Sequence, residues 1–411
     1  MRSALSHKAF RLVFAGTLAS NIGTWMQNVI LIELAYRLTR NASFIGIITF
    51  AQLGPMLLLS PVGGAIADRV NRRTLMVSIA AWQGVLSLAL AVVVTQPHPD
   101  RVLMVTIVAA IGIGSALNGP AASATLPALV GTDDLQGAVA LNSASMNASR
   151  VVGPILGGAT AVLGGATLVF AVNAATYLFV IIALMLARAD FSSKGRRGES
   201  PLSQLTGGFR VAARDRVIGG VLLTIAVFSL FSLVFIYQLP KIAKDQFGFG
   251  ESSYTLLFAT FGLGAVLGAL SMGSWLAGRE RATMVRLGLA VFAVALAVFA
   301  LATTPAIGFP AVFVCGASYF VVVTALITIL QLRVGDEVRG RVMGLWMMAW
   351  AGLVPVGSLV GGYVIDAIGM TAVLLAGAVV AALLGAAVDL RDKGPAPADS
   401  ADAQAAADAA A

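Results

Sequence analysis

Long apolar runs separated by short charged turns set the rhythm of this chain. Twelve runs can be marked, at roughly 10–36, 44–66, 74–95, 102–126, 138–162, 166–188, 217–239, 254–276, 283–303, 308–331, 341–364 and 370–390. Each supplies the about 20 mostly apolar residues that a bilayer-spanning helix needs. A segment in lipid must satisfy its own peptide groups, so the runs predict helices. The longest polar interval, 189–216, falls in the middle. The expected fold is therefore all-α and polytopic, with 12 transmembrane helices in two pseudo-symmetric six-helix bundles. The bundles are expected at 1–188 and 217–390, with a cytoplasmic linker at 189–216 and a tail at 391–411. The tail contains the low-complexity run GPAPADSADAQAAADAAA, which predicts disorder.

Composition sharpens this picture. Charged residues make up 11% of the chain and hydrophobic residues 58%, against about 25% charged in a typical soluble domain. The first apolar run is too long for a signal-peptide core and is not followed by a small-residue cleavage site. The lone cysteine, Cys315, lies in an apolar run and reads as a packing residue. The net charge of +8 could suggest nucleic acid, but Lys and Arg are distributed as membrane topology requires. With the N-terminus inside, inner segments hold 21 of them. Outer segments hold five (Arg37, Arg40, Arg101, Lys241, Lys244), and Arg150 lies within a run. This asymmetry puts both termini in the cytoplasm, with a bacterial inner membrane as the expected location and no nucleic-acid partner. The linker carries Leu202, Leu205 and Phe209 at helical spacing, so it reads either as a helix lying on the inner leaflet or as a plain basic connector.

Internal echoes support the two halves. GPILGG at 153–158 is echoed by GSLVGG at 357–362, GGAIADR at 63–69 weakly by GSWLAGR at 273–279, and DDLQG at 133–137 by DEVRG at 336–340. Such repeats mark several transporter folds. In the helix-5 motif Gly153, Pro154, Gly157 and Gly158, proline removes a helix hydrogen bond and predicts a kink, while the glycines allow close helix approach. Ordinary small-residue packing explains the motif equally well.

Arg150 is the sharpest single residue. It falls about 12 residues into its run, roughly 18 Å along a helix and near the middle of the hydrocarbon layer. A mid-membrane arginine faces a wet cavity or a partner, so it is a candidate for binding an anionic substrate group or pairing with a carboxylate. A structural charge bonded to backbone carbonyls is the bland alternative. In the first run Asn21, Thr24, Gln27 and Asn28, with Trp25 and Met26 alongside, form a polar stripe expected to face a cavity. Gln52, Asn142 and Asn147 could complete its wall. Tyr237, Gln238, Tyr319, Gln331, Trp346 and Trp350 are the weaker candidates of the second half. Glu33 is the best candidate for a proton site, with an anchor at the outer interface as its alternative; Asp366 and Asp389 lie near run ends. His7 and His98 lie outside the runs. The chain lacks metal-spaced Cys/His clusters, phosphate loops and nucleotide-binding motifs. No metal or cofactor is expected, nothing supports an enzyme, and an ATP-driven pump is disfavoured.

The turn between the second and third runs, GGAIADRVNRR at 63–73, is unusually charged for its length. It resembles the signature loop of the major facilitator superfamily, with Gly64, Ala67, Asp68, Arg69, Arg72 and Arg73 matching. Ile66 and Asn71 depart from the pattern, and asparagine tolerates the left-handed backbone expected there. Together with FRLVFAGTLASNIGTWMQNV and DEVRGRVMGL, the chain resembles the enterobactin-exporter-like, transmembrane secretion effector branch over about residues 8–390. The resemblance implies alternating access between two bundles and a substrate near the midplane. It also implies a gate in which Asp68 caps the start of helix 11, with Arg339 and Arg341 beside it; in the alternative, Asp68 merely ends helix 2. The expectation is a monomeric, proton-driven exporter of a small amphipathic compound such as a siderophore, antibiotic or drug. A facilitator or importer of a small metabolite is one alternative. The other is a sensor or scaffold, which would be expected to append a soluble output domain.

Overall fold

A computed structural model describes residues 3–67, 69–131, 134–192, 201–248, 254–276 and 278–390. The first six spans are α1 (Lys8–Thr39), α2 (Ala42–Ala67), α3 (Arg72–Val93), α4 (Arg101–Val130), and α5 and α6. The last two share the continuous stretch Leu135–Leu186, which breaks where Gly164 and Gly165 leave helical angles. Gly165 has φ +65°, a left-handed value that glycine reaches without strain. The backbone stays helical through Pro154, where a kink was expected, and the glycine pair forms the turn from α5 to α6, between the runs 138–162 and 166–188.

The second six are α7 (216–237), α8 (Tyr254–Gly273), α9 (Arg281–Leu301), α10 (Pro305–Arg333), α11 (336–368) and α12 (Met370–Ala387). α7 contains a π-helical turn at Phe228–Ser232 and α11 another at Met348–Gly352. A short helix, Leu239–Asp245, follows α7. Among the described residues eight continuous helical stretches are individually long and apolar enough to cross a bilayer, Leu135–Leu186, which holds both α5 and α6, counting as one. α1 is not among them, because Asn21, Thr24, Gln27 and Asn28 dilute its apolar character.

The linker does form a helix, Pro201–Arg214, bent 115° from α7. Its Gly207 and Gly208 lie against Arg341 at the start of α11, while Phe209 is exposed. Leu202 and Leu205 have side chains outside the described set, as does the whole tail at 391–411. The turn into α7 is fixed by Asp215, whose Oδ1 accepts from Val217 N at 2.8 Å and Ile218 N at 3.1 Å. Its Oδ2 accepts from Arg333 Nε of α10 at 2.8 Å.

The two halves pack by one scheme. Gly153 and Gly157 bring α5 against α1 at Trp25 and Met26, and Gly158 faces Thr255 of α8 in the other half. At 204 residues' displacement, Gly357 and Gly361 bring α11 against α7 at Leu230 and Val234, and Gly362 faces Ala42 of α2. Gly112 of α4 against Gln52 and Gly316 of α10 against Phe261 obey the same displacement. The GPILGG and GSLVGG echoes are thus equivalent packing surfaces. Two of the three aligned glycines serve the helix's own bundle and the third serves the partner bundle.

Candidate functional site

Arg150, Gly153 and Gly157 are spaced i, i+3, i+7 and share one stripe of α5. The glycines let that stripe close on α1, so the arginine meets Trp25. Its guanidinium carbon lies 5.5 Å from the Trp25 ring centroid and 5.7 Å from that of Trp350, which sits in the π-helical turn of α11. Each half therefore supplies one indole to the same cation, an attractive arrangement. Trp350 Nε1 donates to the Tyr319 hydroxyl at 2.8 Å, and the hydroxyls of Tyr319 and Tyr237 lie within electrostatic reach of the guanidinium. Arg150 Nε is buried without a hydrogen-bond partner, and among the described residues no carboxylate pairs with this side chain. Phe258 faces Trp25 at 6.2 Å, and Phe261 and Phe320 face Tyr319 at 5.8 and 5.1 Å. At residue 150, α5 is 15 residues past its start, about 22 Å along the helix.

The polar stripe of α1 is divided, which corrects the expectation that it faces a cavity. Gln27 is 1% exposed and accepts from Asn173 of α6 at 3.0 Å, and Asn173 also donates to Ser87 of α3 at 3.3 Å. Thr24 meets Tyr177 of α6 at 3.4 Å. Asn28 accepts from Gln52 of α2. These groups join helices within the first bundle, since buried polar groups need partners. Asn21 and Asn142 are half-buried; Asn147 is exposed and donates to Ser143 O at 3.0 Å. In the second half Trp346 is buried in the core, Gln331 is exposed, and Gln238 donates to Ala42 O across the halves at 3.2 Å.

At the end of the molecule away from the termini, the halves are bonded together. The Tyr36 hydroxyl donates to Asp245, which also pairs with Lys241 at 2.9 Å. The Lys241 ammonium and the Arg40 guanidinium both lie over the Tyr36 ring, at 5.5 and 5.3 Å. Arg40 has φ +59°, where it ends α1. The Tyr254 hydroxyl donates to Val29 O, and Glu33, 7% exposed, stands close enough to act electrostatically on that tyrosine. Asp366, near the end of α11, accepts from Ala42 N and Ser43 N of α2, each at 2.8 Å. A carboxylate at a helix N-terminus meets both free N–H groups and the positive end of the dipole.

The role of Asp366 went unread, although a signal was present. The sequence reads GGAIAD at 63–68 and GGYVID at 361–366, so Asp68 and Asp366 occupy the same place after a glycine pair.

At the termini end, Asp68 lies outside the described residues, and nothing is described of Gly64 beyond its helical backbone. Asn71 is extended (φ −62°, ψ 120°) rather than left-handed, and its side chain caps α3 by accepting from Arg73 N and Thr74 N. Arg72 Nη1 donates to Ala124 O of α4 at 2.8 Å. Arg73 donates to Ala187 O and lies 4.4 Å from the Phe191 ring. Arg69 is exposed. Arg339 donates to Val334 O at 3.4 Å, and Arg341 packs on the linker helix.

Two pseudo-symmetric six-helix bundles with a charged aromatic cluster on their seam define a secondary transporter of the major facilitator type. The model of the transmembrane secretion effector family matches residues 2–409, and the chain belongs to that family. It is 25% identical over 343 residues to the enterobactin exporters EntS of Shigella boydii and Escherichia coli, covering 83% of this chain and 81% of theirs. Its fold is similar to that of a bacterial homolog of the human lysosomal transporter Spinster, in an inward-facing, unoccupied conformation. That likeness has a TM-score of 0.72 at 15% identity, covering 92% of this chain and 96% of the other. The nucleoside transporter NupG gives 0.71 at 11%, covering 92% and 98%.

Proposed function

We propose that this chain exports a small amphipathic compound across a bacterial inner membrane, driven by the proton gradient, with both termini cytoplasmic. The observation that carries the reading is a mid-span cation held between indoles from opposite halves, beside a far end where the halves are bonded shut. A site shared by two bundles is remade whenever one rocks against the other, as alternating access requires. The Lys/Arg asymmetry supports the orientation. On this reading the far end is the periplasmic gate and is closed here. Asp366 locks it by capping α2, and Asp68 takes the reciprocal part toward α11 when the cytoplasmic end closes.

Glu33 is the proposed proton site. It is buried on α1, one turn from Val29, whose carbonyl accepts from Tyr254 of α8 across the seam between the halves. Export as the direction draws on the printed name of the EntS relatives. The test is efflux of a fluorescent amphipath from proteoliposomes or expressing cells, with and without an uncoupler. Uncoupler-sensitive efflux lost in Glu33→Gln and Asp68→Asn, at equal protein level, is the expected outcome. Efflux indifferent to the uncoupler removes proton drive. Uptake toward the face bearing the termini reverses the direction.

A further inference from the structure

Resting on the transporter reading, we infer that this site takes a substrate with one anionic group on a flat aromatic body. Arg150 receives the anion, and Trp25 and Trp350 receive the ring.

Charge is the first argument. Arg150 sits mid-helix, its Nε is buried and unbonded, and no carboxylate pairs with it among the described residues. The acids within the twelve helices are Glu33, Asp366 and, at the first two positions of α11, Asp336 and Glu337; none is at mid-span, and Asp366 is occupied with the N–H groups of α2. A charge left uncompensated in a membrane interior is costly. Cation–π contact with two indoles relieves part of that cost while the site is empty. A ligand carboxylate relieves the rest, because the planar guanidinium fork matches it with two parallel hydrogen bonds.

Shape is the second argument. The groups around the guanidinium are aromatic on every side for which contacts are described. Trp25 is itself packed against Phe258, and Trp350 is bonded to Tyr319. Tyr319 accepts the Trp350 N–H, so its own proton is free to be donated. A ring that slides between the indoles keeps their faces covered while its anion takes over the guanidinium. A cationic amphipath would compete with Arg150 for the same two faces and be repelled by it. A neutral one would leave the guanidinium's hydrogen bonds unmet, which a buried charged donor tolerates poorly.

Calorimetric binding to the purified full-length protein in lipid nanodiscs tests this with three probes of one shape: 2-naphthoate, 2-naphthamide and 2-naphthylmethylammonium. The expected order is naphthoate tightest, ahead of the amide by about tenfold or more, the worth of a charge-assisted hydrogen bond. Arg150→Gln should bring the two within about twofold of each other, and Arg150→Lys should restore part of the preference, as a compact cation without the fork would. Trp350→Ala should weaken naphthoate and amide alike. Equal or tighter binding of the amide or the ammonium probe overturns the inference. So does an unchanged preference in a folded Arg150→Gln, or no naphthoate binding at all. Because binding is read without transport, a chain that prefers naphthoate but moves nothing sinks the transporter reading alone. Uncoupler-sensitive efflux without anion preference sinks the inference alone.

Discussion

Gly153→Ala separates a packing seam from the site it positions. A β-carbon at 153 would sit closer than 3.0 Å to Trp25 Cβ, a distance that real Cβ atoms essentially never show. It would also stand 3.1 Å from Ile22 O and 3.2 Å from Met26 N. None of these is the loose end of a flexible side chain. α1 and α5 must part, and Trp25 must leave Arg150. Overpacking of this kind costs about 1–3 kcal/mol, while alanine regains up to about 1 kcal/mol of helix propensity over glycine. Gly344→Ala, inside α11 with nothing within 4 Å of its β-carbon, isolates the propensity gain. Gly157→Ala, whose nearest neighbour is Met26 Cα at 3.1 Å, should fall between them. Chemical unfolding of the detergent-solubilised protein should rank Gly344→Ala above Gly157→Ala above Gly153→Ala, with about 1–3 kcal/mol between the extremes. Gly153→Ala should also weaken binding at Arg150 more than either of the others. A Gly153→Ala protein as stable as Gly344→Ala would refute the reasoning, because the α1–α5 seam would then have room that the geometry denies it.

Asp366→Ala removes the carboxylate that caps α2 across the halves. A cap of this kind is worth about 0.5–2 kcal/mol, so spin-label distances across the far end should lengthen as the open population rises; an unchanged distance distribution refutes the lock. Asp215→Ala removes both the cap of α7 and the carboxylate paired with Arg333, which should destabilise by at least the about 0.5–2 kcal/mol of a helix cap, read by unfolding; an unchanged stability would show both contacts to be incidental. Asp134, at the start of α5 and outside the spans, is held below the usual carboxylate range by hydrogen bonds from Ser3 and His7. A depressed pKa means that this contribution is present above the ordinary carboxylate pKa and fades as the pH falls through the lowered value. The stability gap between wild type and Asp134→Asn should therefore hold above about pH 4 and close below it; a gap that widens in acid contradicts the assignment.

Much of the architecture could be read from one chain because hydropathy acts locally. An apolar run of about 20 residues crosses a bilayer whatever its neighbours do, and all twelve runs correspond to helices. The repeat was legible for a similar reason: glycines that permit close approach keep their spacing in both halves. Arg150 stood out because a mid-span charge is conspicuous anywhere. Asp366 did not, because an aspartate near a helix end looks like an interfacial anchor until the helix it caps is known. Gln27 misled because its spacing marks a face without saying what that face meets.

The sequence by itself determined the class of protein, the number and order of spans, the internal repeat and the one cation at mid-depth. Each follows from chemistry held within about 20 consecutive residues. Only the tertiary structure decided where the polar side chains point. It turns Gln27 inward to Asn173, sets Trp350 over Arg150 from the opposite half, and puts Asp366 on the start of α2, more than 300 residues earlier. Those pairings depend on how far each helix is rotated and how closely it approaches its neighbours. That is fixed by glycine-lined contacts between distant segments, and no window along the chain contains both partners.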